Sequence, residues 1–130
     1  MATQIVISNG DSIKIDDSYH LEWADKGKNW VDAWCPNTIH CVIWNNLPGQ
    51  NEIQSKDAST GNMTGNTDLN ATSDAVGSTT IAALLTWGET RKNQILAAQA
   101  SFQTALEDDE ANGTTNTAGK SWADYDANYS

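Results

Sequence analysis

The chain has 130 residues, which is enough for one domain with a single modest hydrophobic core. Seventeen acidic residues against seven basic ones give a formal net charge of −10, which disfavours binding to nucleic acid or to an anionic membrane surface. The first residues show no basic segment followed by an apolar one, and no apolar run approaches the roughly 20 residues that span a bilayer. We therefore expect no signal peptide, no membrane contact and synthesis in a cytoplasm.

The first 55 residues predict a small antiparallel β domain. Two alternating segments, Gln4–Ser8 and Ser12–Ile15, flank an Asn-Gly-Asp turn, which is a strong hairpin signal. Further short segments alternate in the same way between polar turns, and they are Tyr19–Trp23, Trp30–Trp34, Ile39–Trp44 and Asn51–Ser55. Six short strands indicate an antiparallel sheet or a partial barrel.

The cysteine and histidine pattern offers little chemistry. Cys35 and Cys41 lie six positions apart, and we expect reduced thiols in a cytoplasm. A disulfide across the turn is the alternative. With His40 they provide three zinc ligands in an unfamiliar spacing, so no zinc site is predicted. His40 and Cys41 are neighbours on a strand and point to opposite faces, which disfavours a nucleophile and base pair.

Residues 56–77 are almost entirely Thr, Asn, Ser, Asp and Gly, and such a composition buries too little apolar surface to fold alone. The segment predicts either a linker or an irregular loop that binds a partner. Its aspartates lack the spacing of a calcium loop, so no calcium site is predicted.

A long helix is predicted over residues 78–111. Ser78, Thr79 and Thr80 are candidate N-caps, and nothing breaks the pattern before an Asn-Gly pair at 112–113. Apolar residues recur about every 3.5 positions, which is the spacing of a coiled coil, although packing on the chain's own sheet is the alternative. The residues proposed for contact with another helix are Ile81, Leu84, Gly88, Ile95 and Phe102.

The tail, residues 112–130, is polar except for three aromatic residues. Trp122, Tyr125 and Tyr129 are spaced so that a short helix places them on one face. This face either docks on the chain's own sheet or anchors a partner. The predicted fold is thus α+β, with a β domain at 1–55, a polar loop at 56–77, a helix at 78–111 and an aromatic tail.

Most of the six tryptophans are expected in the core, because large aromatic side chains contribute much burial in an alanine-rich chain. If one pair of tryptophans is exposed, we expect it to be Trp30 and Trp34. Asp32 shares their face and is not expected to be buried without a partner. Exposed tryptophans at these two positions would suit stacking on a sugar ring.

The order of these segments resembles a known group of proteins. The segment IHCVIWNNLPGQNEIQ, the polar passage after it and the helical segment beginning WGETRKNQI resemble small tail-assembly and tail-fibre-chaperone proteins of tailed bacteriophages, especially cyanophages. The likeness covers Trp30 to about Phe102 and includes no catalytic signature. It implies a protein that binds a tail or fibre protein, in the virion or in the host cytoplasm during assembly.

Three non-enzymatic functions follow from this sequence. The first is a tail or tail-fibre assembly protein that binds another virion protein and self-associates through its helix, with a trimer as one form. The second is a permanent virion subunit, such as a fibre, baseplate or capsid-decoration protein. The third is a carbohydrate-binding module. No cofactor is expected, because the sequence has no phosphate loop, dinucleotide fingerprint or metal motif.

Overall fold

A computed structural model describes residues 2–8, 12–16, 19–22, 35–46 and 50–127 of the chain. It divides into two compact units, Met1–Glu89 and Thr90–Ser130. The first unit contains an antiparallel sheet and the beginning of a long helix, and the second contains the rest of that helix and the tail. The predicted α+β fold with a C-terminal helix is confirmed.

Six strands form one antiparallel sheet in the spatial order β3-β2-β1-β4-β5-β6. The strands are β1 (Ile5–Ser8), β2 (Ser12–Ile15), β3 (Tyr19–Glu22), β4 (Ile39–Trp44), β5 (Glu52–Lys56) and β6 (Met63–Asp68). A separate two-stranded ribbon pairs β7 (Ala75–Val76) with β8 (Thr79–Thr80). The predicted strand at 30–34 lies outside the described residues.

One face of the central strands forms the core of the first unit. The alternation that predicts these strands places every second residue on the same face, and pairing aligns those residues across β1, β2 and β4. The side chains that this face buries almost completely are Ile5, Ile7, Ile13, Ile15, Val42 and Trp44. Burial of each stabilises the fold by about 1.5–3 kcal/mol relative to exposure.

The segment at 56–77 differs from the irregular loop that the composition predicts. It contains β6, which pairs with β5 along the strand except for a register shift at Thr64, and then β7. All six residues of β6 are exposed, and their sequence shows no alternation of apolar and polar residues. Backbone pairing, rather than burial of side chains, defines this strand.

Helix α1 runs from Ile81 to Asn112, and both of its ends follow from the sequence. The Thr80 hydroxyl accepts a hydrogen bond from the Ala83 N–H, so Thr80 is the N-cap among the predicted candidates. Gly113 follows the last helical residue with φ +65°, a conformation that glycine adopts without strain and that commonly ends helices. No helix in the described part of the chain is long and apolar enough to cross a membrane.

Candidate functional site

The first half of the predicted helix contact is buried inside the first unit. Ile81 and Leu84 have no exposed surface, and Gly88 is buried too. A Cβ at Gly88 would lie 3.5 Å from the side chains of Ala2 and Ile15. This half of the apolar face therefore packs on the chain's own sheet, which is the alternative that the sequence left open. Contact of these residues with another chain stays a prediction.

The second half of the same helix face is used within the second unit. The Arg91 guanidinium lies 2.6 Å from the Asp126 carboxylate of the tail, and Phe102 packs on Tyr125 with ring centroids 5.5 Å apart. Ile95 lies between Arg91 and Phe102 on this face and is 2% exposed. Ile95 is therefore buried within the chain, and Phe102 and Tyr125 contact each other. Contact of these residues with a partner stays a prediction.

The tail packs on its own helix, whereas the alternative to a partner that the sequence suggested was docking on the chain's own sheet. It forms a short 3₁₀ helix, Trp122–Tyr125, whose two aromatic residues are half-buried. Lys120 adds its ammonium group 6.0 Å from the centre of the Tyr125 ring. Trp122 and Tyr125 are therefore not a fully exposed anchor for a partner, and Tyr129 lies outside the described residues.

Asp109 organises the turn between helix and tail. Its carboxylate accepts hydrogen bonds from the hydroxyls of Thr114 and Thr117 and from the backbone N–H groups of Asn116 and Thr117. The hydroxyls of Thr114 and Thr117 are the main cause of a pKa well below the ordinary value of 3.8. All of these donors stabilise the ionised form, so Asp109 acts as a structural anion at the end of α1.

The tryptophans proposed for stacking on a sugar cannot be placed. Trp30 and Trp34 both lie outside the described residues. Trp44 is 5% exposed, and its indole N–H donates a hydrogen bond to the Asn46 side chain. Trp44 therefore contributes to the core, as expected for most of the tryptophans, and it is not accessible to a ligand.

Cys41 and His40 are neighbours on β4, and Cys35 lies before that strand. Cys35 and Cys41 are free thiols in the structure. Burial raises the pKa of the Cys41 thiol, so less thiolate is present at neutral pH, while His40 beside it is exposed. In the described part of the chain, no group of three or more His, Cys, Asp or Glu residues is arranged to hold a metal ion.

The hairpin of β5 and β6 is the most exposed part of the sheet among the strands whose side chains the structure describes. Its turn is fixed by Asp57, whose carboxylate accepts hydrogen bonds from the N–H groups of Ser59 and Thr60. These bonds hold the pKa of Asp57 below its ordinary value. At the opposite end, the buried Asn51 accepts bonds from the Asn45 N–H through its side chain and from the Leu69 N–H through its backbone carbonyl. The hairpin is thus fixed at both ends although β6 buries nothing.

The outer edge of β6 presents backbone groups to solvent. The bond from the Leu69 N–H to the Asn51 carbonyl sets the phase of the β5–β6 ladder, because bonded and non-bonded pairs alternate in antiparallel strands. Thr67 and Gly65 therefore direct their backbone groups toward β5, whereas Asn66 and Asp68 direct theirs outward. The Lys56 N–H, which donates to the Thr38 carbonyl on the other side of β5, fits the same phase. No strand in the described ranges pairs with this outer edge.

Sequence reasoning missed this edge because β6 contains no apolar alternation. Two exposed leucines of α1, Leu96 and Leu106, are a smaller apolar feature, with 44% and 39% of their surface accessible. Comparisons with protein-family models, with curated proteins and with solved structures gave no match. The β6 edge is therefore the candidate functional site on geometric grounds.

Proposed function

We propose that this chain is a non-enzymatic protein of a bacteriophage tail or tail fibre that binds another virion protein. The observation that carries the proposal is the β5–β6 hairpin, whose outer strand is exposed at all six residues and pairs with no described strand along its outer edge. An exposed strand edge of this kind is a template for contact with another polypeptide. The resemblance to tail-assembly and tail-fibre-chaperone proteins supports the identity of that partner.

The chemistry of the described residues favours binding over turnover. Cys41, the one buried thiol, has a raised pKa, and His40 is its exposed neighbour on the strand rather than a base directed at it. The three aspartates with lowered pKa, at 57, 74 and 109, each accept backbone hydrogen bonds from nearby loop residues. Carboxylates used in this way stabilise loops and are poor proton acceptors at neutral pH.

The proposed contact no longer uses the helix residues that the sequence suggested. Ile81, Leu84 and Ile95 are buried in the chain itself. Self-association through these residues would require them to leave the cores that bury them. The net charge of −10 also opposes close association of identical copies. A different virion protein is the partner that this surface and charge favour.

Quantitative mass spectrometry of infected-cell lysate and of purified particles tests the proposal. We expect the chain to co-purify with a tail or fibre protein from the lysate, and its amount in finished particles decides between an assembly role and a permanent subunit. A chain that co-purifies with no virion protein and is absent from particles would refute the proposal.

A further inference from the structure

We propose that β6 binds its partner by strand addition, and that the added strand is an extended segment carrying Lys or Arg. This inference rests on the proposed function and specifies the surface and chemistry of that contact. Asn66 and Asp68 direct backbone donors and acceptors outward, which is the pattern that a seventh strand requires. The side chains of this edge are exposed and polar, so backbone hydrogen bonds provide most of the recognition.

Most of the edge lacks the features that usually prevent strand addition. Neither proline nor lysine occurs in β6. The register shift opposite Ser55 and Lys56 falls at Thr64 of β6, so the bulge lies at the start of this strand. No strand in the described residues covers the rest of the edge, which is straight from Gly65 to Asp68.

The edge is also ordered before a partner arrives. Asp57 fixes the turn, and Asn51 joins the end of β4 to the residue after β6. Ordering a flexible segment on binding costs conformational entropy. A hairpin that is already fixed at both ends loses little further entropy when a partner binds. This rigidity distinguishes β6 from a loop that would fold only on its partner.

The charge of the added strand follows from a pair of acidic residues. Glu52 and Asp68 are directly opposite each other on β5 and β6, and like charges at such positions destabilise a sheet. The Gln54 amide, 3.4 Å from Glu52, is neutral and does not cancel the charge. A Lys or Arg on an added strand beside Asp68 would relieve the repulsion. A second copy of this acidic chain would not provide that compensation through its own β6, which contains no basic residue.

Variants of the full chain, tested for binding to purified tails of the phage that encodes it, examine the inference. Asn66→Pro removes an outward N–H while sparing the bonds to β5, and Asp68→Lys reverses the charge beside Glu52. Glu110→Lys, on the exposed surface of α1, is the matched control for charge. We expect the first two variants to lose about tenfold or more in affinity and the control to bind like the wild type.

Two further readouts separate the alternatives. Asp68→Lys should raise the melting temperature of the free chain while it weakens binding, because it replaces a repulsive pair by an attractive one. Hydrogen exchange of the Met63–Asp68 segment should slow when tails bind. Wild-type binding with no effect of either β6 variant would overturn strand addition and leave the proposed function standing. Protection that depends on chain concentration without tails would identify a second copy as the occupant and also overturn the inference.

Discussion

The buried ion pair between Arg91 and Asp126 is the contact whose removal should most clearly loosen the second unit. Their side chains are 6% and 1% exposed, and the charged atoms lie 2.6 Å apart. Arg91 has one further bond, to the Gln94 side chain at 3.3 Å. Removing one member of such a pair leaves a buried charge without its counter-ion. We therefore expect Arg91→Met or Asp126→Asn to cost about 3–5 kcal/mol, whereas an exposed pair would cost about 0–1 kcal/mol.

A double-mutant cycle measures this coupling. Replacing both residues, as Arg91→Met with Asp126→Leu, should cost much less than the sum of the single changes, because no charge is then left buried. Urea denaturation followed by circular dichroism gives the free energy of unfolding, and hydrogen exchange over Ser121–Asp126 detects tail release without global unfolding. Asp108→Asn, on the exposed helix surface, should change stability by less than about 0.5 kcal/mol. A coupling energy below about 1 kcal/mol would show that the pair does not hold the tail.

Three further perturbations follow from the same contacts. Gly88→Ala should raise the free energy of unfolding by about 0.5–1 kcal/mol, because the new Cβ makes ordinary 3.5 Å contacts, whereas Gly88→Leu should lower it by about 1–3 kcal/mol. Thermal unfolding of both variants checks the sign. Asp109 has a folded pKa below 3.8, so its contribution to stability is present above that pH and is lost as the pH falls through the lower folded value. The Asp109→Asn variant should therefore have a lower melting temperature at neutral pH, and its stability should change less as the pH falls. An unchanged dependence of the melting temperature on pH would contradict the role of Asp109 in the turn. Cys41, which is buried with a raised pKa, should react with an aromatic disulfide reagent more slowly than half-buried Cys35 in the native protein, and equal rates would contradict its burial.

The strands of the core and both ends of the helix could be predicted from the sequence because their signals are local. Alternating isoleucines define β1 and β2, Thr80 provides the cap, and Gly113 provides the residue with positive φ. β6 could not be recognised in this way. Its residues are all exposed, and the composition of a polar paired strand is the same as that of a polar loop.

The sequence also could not show on which surface the apolar face of the helix packs. A period of about 3.5 shows that a face is apolar, but it does not show whether the face packs on its own chain or on another. Arg91 interrupts that face, and this interruption is the signal that an acidic partner is needed. The partner, Asp126, lies 35 positions away and is one of seventeen acidic residues, so the spacing alone could not identify it.

Chemical cross-linking in lysate of infected cells most directly tests the central claim that this chain binds a virion protein through its exposed hairpin. Lys56 ends β5 opposite Met63, which places a reactive amine at the start of β6. The account predicts cross-links from Lys56 to a tail or tail-fibre protein, and it predicts their loss in the Asn66→Pro variant. Cross-links from Lys56 only to other copies of this chain, or none to any virion protein, would contradict it.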